Sequence, residues 1–227
     1  MTTLLQLADR AQLALNDSGV GTWPQATVEA WCLDAIRDYS QYFPRTRSST
    51  TTIAVDDAGH EFDLPSDFLG MVLVEFPDGE DPPEYLERRS RTCSGFWDYE
   101  GYYDVETSGD AATAGTLYLS EEPANGEAYT LTWLAPHDTD LDSGDTITVP
   151  EDHESILILY VLWQATRERM ATQEQDPDTT IHILQQMVKA AQQAEEEYRR
   201  ALQRADKHRA DGGPTGPWRA DLYDPIY

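Results

Sequence analysis

ESILILYVLWQATRER, residues 154–169, is the stretch whose reading decides the fold. Eight apolar residues run from Ile156 to Trp163 with no polar position among them. A helix with no solvated face is walled in on most of its sides, so this segment is expected at the centre of a helical core. A break at Asp176-Pro177 separates it from a second helix, from about Asp178 to Lys207. That helix carries Ile181, Leu184, Val188, Ala191, Tyr198, Leu202 and Ala205 at spacings that place them on one face. It would be roughly 40 Å long, at 1.5 Å per residue. A compact domain of this size does not need such a length, and the excess points to contact beyond the chain itself.

Outward from this hairpin the pattern changes. Residues 3–16 read as a short helix with Leu4, Leu7, Ala8, Ala11 and Leu15 on one face, ended by Asn16-Asp17-Ser18-Gly19. Thr27 can cap a second helix with the stripe Val28, Trp31, Cys32, Ala35, Ile36, Tyr39 and Phe43, stopped by Pro44. From Thr50 to Val149, short runs rich in Thr, Val, Tyr and Trp alternate with turn clusters. Strands are expected at 50–55, 61–64, 71–76, 84–89, 95–99, 102–106, 115–119, 128–134 and 145–149. In YTLTWL, Tyr129, Leu131 and Trp133 share one face and Thr130 and Thr132 the other. The class is therefore α+β: a helical bundle of two N-terminal and two C-terminal helices with an inserted antiparallel β-sandwich or barrel. The expected divisions are 1–48 and 151–208 for the helical core, 49–150 for the β insertion and 209–227 for an extended C-terminal tail. The tail has Gly-Pro breaks and no helical or strand period, yet it carries Trp218, Tyr223, Ile226 and Tyr227. Large apolar side chains on a segment that cannot fold alone fit a docking peptide.

Charge narrows the function. Forty-two acids face sixteen bases, a formal net charge of −26, and lysine occurs only at 189 and 207. Such a surface repels nucleic acid and anionic membranes. Molar salt would tolerate it, because the Debye length there is about 3 Å. Salt adaptation is the larger cause expected here; non-stick walls around passing DNA are a compatible second one. No apolar run approaches the length of a membrane span, and the first residues do not read as a secretion signal. Cys32 and Cys93 have no metal or redox spacing, and read as free thiols with Cys32 on the buried face of its helix; whether they pair is left open.

Local motifs offer little chemistry. Asp138, Asp140 and Asp142 alternate as at the start of a calcium loop, but Ser143 and Val149 stand where that loop needs Gly and Glu. A solvated acidic turn between two strands is the preferred reading, and no metal or cofactor is expected. SGFWDYEGYYDV, Ser94–Val105, groups aromatics that read as core and subunit contact before any sugar platform. Arg88, Arg89 and Arg91 form the one compact basic cluster, with carboxylates as its natural partners. The five histidines are scattered, and HExxH, GxSxG and GxxxxGK[ST] are all missing, so no enzyme is expected.

The segment order resembles that of head-to-tail adaptor (connector) proteins of tailed phages and tailed archaeal viruses. The strings that carry the likeness are LPSDFLGMVLVEFP (Leu64–Pro77), PEYLERR (Pro83–Arg89), FWDYEGYYDV (Phe96–Val105), LYLSEEPANGE (Leu117–Glu127), LTWLAPHD (Leu131–Asp138) and VPEDHESILILYVLWQATRER (Val149–Arg169). The resemblance covers about residues 3–208. It implies a homo-oligomeric ring, usually of twelve copies, in the virion neck under the portal, assembled in the host cytoplasm and lining the DNA channel without specific DNA binding. It further implies that the helical core makes the ring, that the β insertion faces outward or toward the tail, and that Trp218, Tyr223, Ile226 and Tyr227 dock on the portal. Expected subunit contacts are Tyr198 and Leu202 on the long helix, with Arg88, Arg89, Phe96 and Trp97 in the β region. The acidic excess departs from the family pattern and points to a salt-loving host. Alternatives are another neck or tail-completion protein, and a carbohydrate-binding module built on the Phe96–Tyr103 aromatics.

Overall fold

The computed structural model describes residues 1–15, 23–53, 59–108, 114–174 and 181–212. In chain order they form α1 (Leu4–Ala14), α2 (Gln25–Tyr42), β1 (Arg45–Thr52), β2 (Glu61–Asp63), β3 (Gly70–Glu75), β4 (Glu87–Arg88), β5 (Tyr102–Thr107), β6 (Gly115–Leu119), β7 (Ala128–Ala135), α3 (Glu154–Glu174) and α4 (Ile181–Gly212). The class is α+β, with helix pairs on either side of a β insertion. The chain divides into two compact units, Met1–Phe43 with His137–Tyr227, and Pro44–Pro136. The insertion thus runs from Pro44 to Pro136, against the 49–150 expected.

In the helical unit, Thr3 caps α1 and forms a capping box with Gln6. Leu4, Leu7, Ala8 and Ala11 are buried at the expected spacing. α2 begins at Gln25, with Pro24 rather than Thr27 at its cap, so Thr27 lies inside the first turn. Pro24 holds an extended backbone that feeds directly into the helix. α3 touches each of the other three helices. Its Ile156, Leu157, Tyr160, Val161 and Ala165 are buried, while Ile158, Leu159, Leu162 and Trp163 are only half covered. The all-apolar run is therefore the hub it was read to be on one side, and a partly open face on the other. Glu154 opens α3 with its carboxylate buried against Arg10 of α1, where the helix N-terminus also favours a negative charge. Its Oε1 makes no hydrogen bond among the described residues.

The chain leaves this unit at Phe43 and returns at His137, and the two points are tied together. The backbone N–H of His137 donates to Ser40 Oγ at 3.0 Å. Its Nε2 lies 3.0 Å from the Phe43 carbonyl oxygen and its Nδ1 lies 2.9 Å from Thr148 Oγ1. A carbonyl only accepts, so Nε2 carries a proton and donates it to Phe43.

The β unit holds two sheets, β1-β7-β3 and β2-β6-β5-β4. Along β7, Tyr129, Leu131, Trp133 and Ala135 point inward, as the alternation in YTLTWL requires. They share a core with Val74, Phe76, Leu117 and Leu119. β4 runs parallel to β5, so the second sheet is mixed, and no barrel closes among the described residues. Residues 95–99 are turns instead of a strand, because Gly95 and Gly101 adopt φ of 89° and 88°, which interrupts extension. Residues 145–149 make only a one-residue bridge, Thr146 to Thr3, because α1 starts at the next residue and ends the pairing. The segment 84–89 is divided: Tyr85 bridges to β3 and only Glu87–Arg88 pair with β5. At the start of β6, Gly115 is obligatory, since a Cβ there would stand 2.1 Å from the Glu106 carbonyl oxygen.

Candidate assembly surfaces

α4 spans 32 residues, about 48 Å at 1.5 Å per residue. Its apolar stripe meets two different fates. Ala191, Tyr198, Leu202 and Ala205 are buried in the helical core. Toward the N-terminus, Ile181 is 76% exposed, Ile183 43% and Val188 39%. The cause lies in α3, which turns polar after Ala165; Arg167, Glu168 and Arg169 are exposed and offer no apolar cover. An open groove of about 690 Å³ remains here, lined by Trp23, Ala165, Thr166, Ile183, Met187 and Ala190 among others.

The acids respect this boundary. Almost a fifth of the chain is Asp or Glu, yet none occurs from Thr179 to Ala194, and Glu195-Glu196-Glu197 follow at once. Where carboxylates are excluded from exposed apolar surface, burial against another molecule meets no carboxylate to desolvate. The only longer acid-free run, Tyr39–Val55, contains all of β1. Both gaps were visible in the sequence, and they mark surfaces that apolar periodicity alone did not single out.

The residues expected at subunit contacts are divided between the two units and differ in exposure. Tyr198 is covered by its own chain: its hydroxyl donates to Asp38 Oδ2 at 2.5 Å and its ring packs 5.3 Å from that of Tyr160. Burial first, and the Asp38 carboxylate second, push its phenol above the usual tyrosine range. Leu202 is buried beside it. Neither side chain is free to meet a neighbour, because α2 and α3 already cover that half of α4. In the β unit Phe96 is fully buried, edge-on to Trp97 at 4.7 Å, while Trp97 is 49% exposed and edge-on to His60 at 5.0 Å. With Phe96 and Tyr103 inside, the aromatics of 96–103 do not make one exposed platform.

Arg88 is exposed and makes no ion pair among the described residues. Arg89 stacks over Tyr102 at 4.8 Å and donates to the Ser94 carbonyl. Arg91 has the expected carboxylate partner, Glu106 at 2.5 Å, and lies 3.9 Å over the Tyr118 ring.

The Asp138–Asp142 loop does not lie between two strands, since among the described residues no strand follows it. It serves α1: the carbonyls of Ser143 and Asp145 accept from the N–H groups of Leu5 and Leu4, and Asp145 Oδ2 accepts from Asp142 N–H. No cluster of His, Cys, Asp or Glu suited to a metal gathers among the described residues. Cys32 is buried and Cys93 exposed, and both are free thiols. Burial and nearby Glu29 push the Cys32 thiol up to about 12. No described helix is long and apolar enough to cross a membrane. Trp218, Tyr223, Ile226 and Tyr227 lie outside the described residues.

A profile of the SU10 adaptor protein family matches residues 2–220. The chain belongs to that family, one of structural adaptors of phage particles and not of enzymes. Among curated proteins none matches the chain in sequence.

Proposed function

We propose that this member of the adaptor family joins the portal to the tail as a homo-oligomeric ring of about twelve copies through which DNA passes. The observation that carries the reading is the first half of α4: apolar, exposed and free of carboxylates in a chain that is acidic elsewhere. Helix faces left open in one copy become covered when copies stand side by side. Arg88, Arg89 and Trp97 add contacts from the β unit, where an exposed guanidinium meets the carboxylates of an acidic neighbour. The tail, with Trp218, Tyr223, Ile226 and Tyr227, engages the portal, and a tail or neck protein binds below. An acidic lumen opposes DNA adhesion, because like charges release no counterions on approach. The charge of −26 and the two lysines suit assembly in the cytoplasm of a salt-loving host.

The test is particle mass by light scattering in molar salt. The intact chain is expected to form rings; Ile183→Asp with Met187→Asp is expected to leave single chains with an unchanged unfolding midpoint. Rings that survive this pair of substitutions would remove α4 from the assembly. Truncation at residue 212 is expected to leave the ring and abolish capture of the portal, and retained capture would remove the docking role of the tail.

A further inference from the structure

The two sheets of the β unit have four edges, and three are guarded. β3 carries a bulge between Met71 and Leu73, and its edge is partly covered where Phe76 N–H donates to Glu84 O and Leu86 N–H to Val74 O. β2 has three residues, two of them carboxylates, and β4 has two, both charged. Short strands, charges, bulges and covers are the devices by which proteins blunt open edges. β1 has no bulge and no cover among the described residues, and its charges, Arg45 and Arg47, stand only at its first and third positions. It pairs with β7 over eight consecutive residues without a shift, contains no proline and no lysine, and nothing among the described residues pairs with its other side.

The phase of that open side follows from the ladder. Ile53 N–H donates to Glu127 O, and Leu69 N–H to Leu134 O on the opposite side of β7. In an antiparallel ladder bonding alternates, so Arg45, Arg47, Ser49 and Thr51 bond β7. Thr46, Ser48, Thr50 and Thr52 then turn their N–H and C=O groups outward. Their side chains form a hydroxyl row, with Ser48 bonded to Thr132 and Thr50 to Thr130 across the sheet. On the other face Arg47 reaches Asp67 at 2.5 Å and lies over Trp133. Every residue from Thr46 to Thr52 is exposed, and no carboxylate occurs from Tyr39 to Val55.

We propose that the open edge of β1 takes an extended segment of a neighbouring copy of this chain by strand addition, so that sheet β1-β7-β3 continues from one subunit into the next. Charge complementarity selects the occupant. Each copy carries −26, and β1 is the edge strand that meets an acidic segment with a row of hydroxyls and no carboxylate of its own. Main-chain bonding supplies the attraction, and the Ser and Thr side chains are small enough to let a second backbone approach. The inference rests on the ring reading and names a surface for it that is independent of α4.

Amide hydrogen exchange of assembled against dilute single chains tests it. The amides of Thr46, Ser48, Thr50 and Thr52 are expected to exchange freely in single chains and to become protected on assembly; those of Arg47, Ser49 and Thr51 are expected to be protected in both. Ser48→Pro removes an N–H that bonds nothing among the described residues, and is expected to weaken self-association about tenfold per contact with the fold retained. Ser48→Glu with Thr50→Glu, which leaves the backbone untouched, is expected to weaken it through repulsion, whereas the Lys pair is not. Rings whose four amides stay open would overturn the strand addition and leave the ring reading standing. Protection that appears only on adding portal or tail protein would overturn the choice of occupant. A chain that forms no ring in any salt would overturn both readings.

Discussion

The two halves of α4 follow one helical period and end in different surroundings. From Ala191 onward the stripe packs on α2 and α3, and Glu195, Glu196 and Glu197 follow at once. Before Ala191 the stripe residues Ile181 and Val188 are exposed, Ile183, Met187 and Ala190 beside them line a groove, and carboxylates are missing from the whole circumference. Periodicity reports which side of a helix is apolar. It does not report what covers that side. In a chain this acidic, the distribution of carboxylates carries the second message, since acid is placed wherever water will remain.

The sharpest way to break this contrast is to truncate one stripe residue from each half. Leu202→Ala is expected to lower the stability of the single chain by about 2–4 kcal/mol, the cost of a buried leucine cavity. Ile181→Ala is expected to stay within about 0.5 kcal/mol, as for exposed positions. Urea midpoints measured on dilute protein decide it, and equal losses would show that both halves are covered in the single chain. Next in size is Arg10→Ala, which strands the buried Glu154 carboxylate at the head of α3. Because water reaches the exposed arginine, a loss of about 2 kcal/mol is expected rather than the larger figure for a fully buried pair.

A smaller effect reports on the covered half alone. The Tyr198 phenol is raised above its ordinary value of 10.0, so the folded state favours the protonated form. Its contribution is fully present below pH 10 and is lost as pH rises past that value, where the unfolded chain ionises first. Tyr198→Phe is expected to flatten the decline of stability above pH 10, measured against the parent by chemical denaturation. The least perturbing probe is a thiol reagent at neutral pH: Cys93 is expected to react in the native protein and Cys32 only after unfolding, read as one label per chain by mass.

Much of the fold was legible because it rests on local patterns. The alternation of YTLTWL gave the inner and outer faces of β7, and the stripe of α2 was read correctly down to Cys32. What was not legible depended on partners distant in sequence. DTITV, 145–149, has strand composition, but its strand pairing stops at one bridge, Thr146 to Thr3, where α1 begins. Residues 84–89 read as one strand and divide between two sheets, which composition does not encode. Phe96 and Trp97 are adjacent and equally apolar, and only the turn between Gly95 and Gly101 sends one inside and leaves the other half outside. The length of α4 points to a neighbour without saying which residues meet it; Tyr198 and Leu202 are buried within the chain, and the acid gap lies in the first half of the helix.

The tie between His137 and Phe43 has a consequence for how the molecule can be taken apart. Entry and exit of the ninety-odd residues between them lie a hydrogen bond from each other. The four helices can therefore close without those residues: a loop of about two to five residues joining Phe43 to His137 would meet the ordinary length of such connections. The intervening sheets are in effect a removable cassette, exchangeable for another without redrawing the helices that hold its ends.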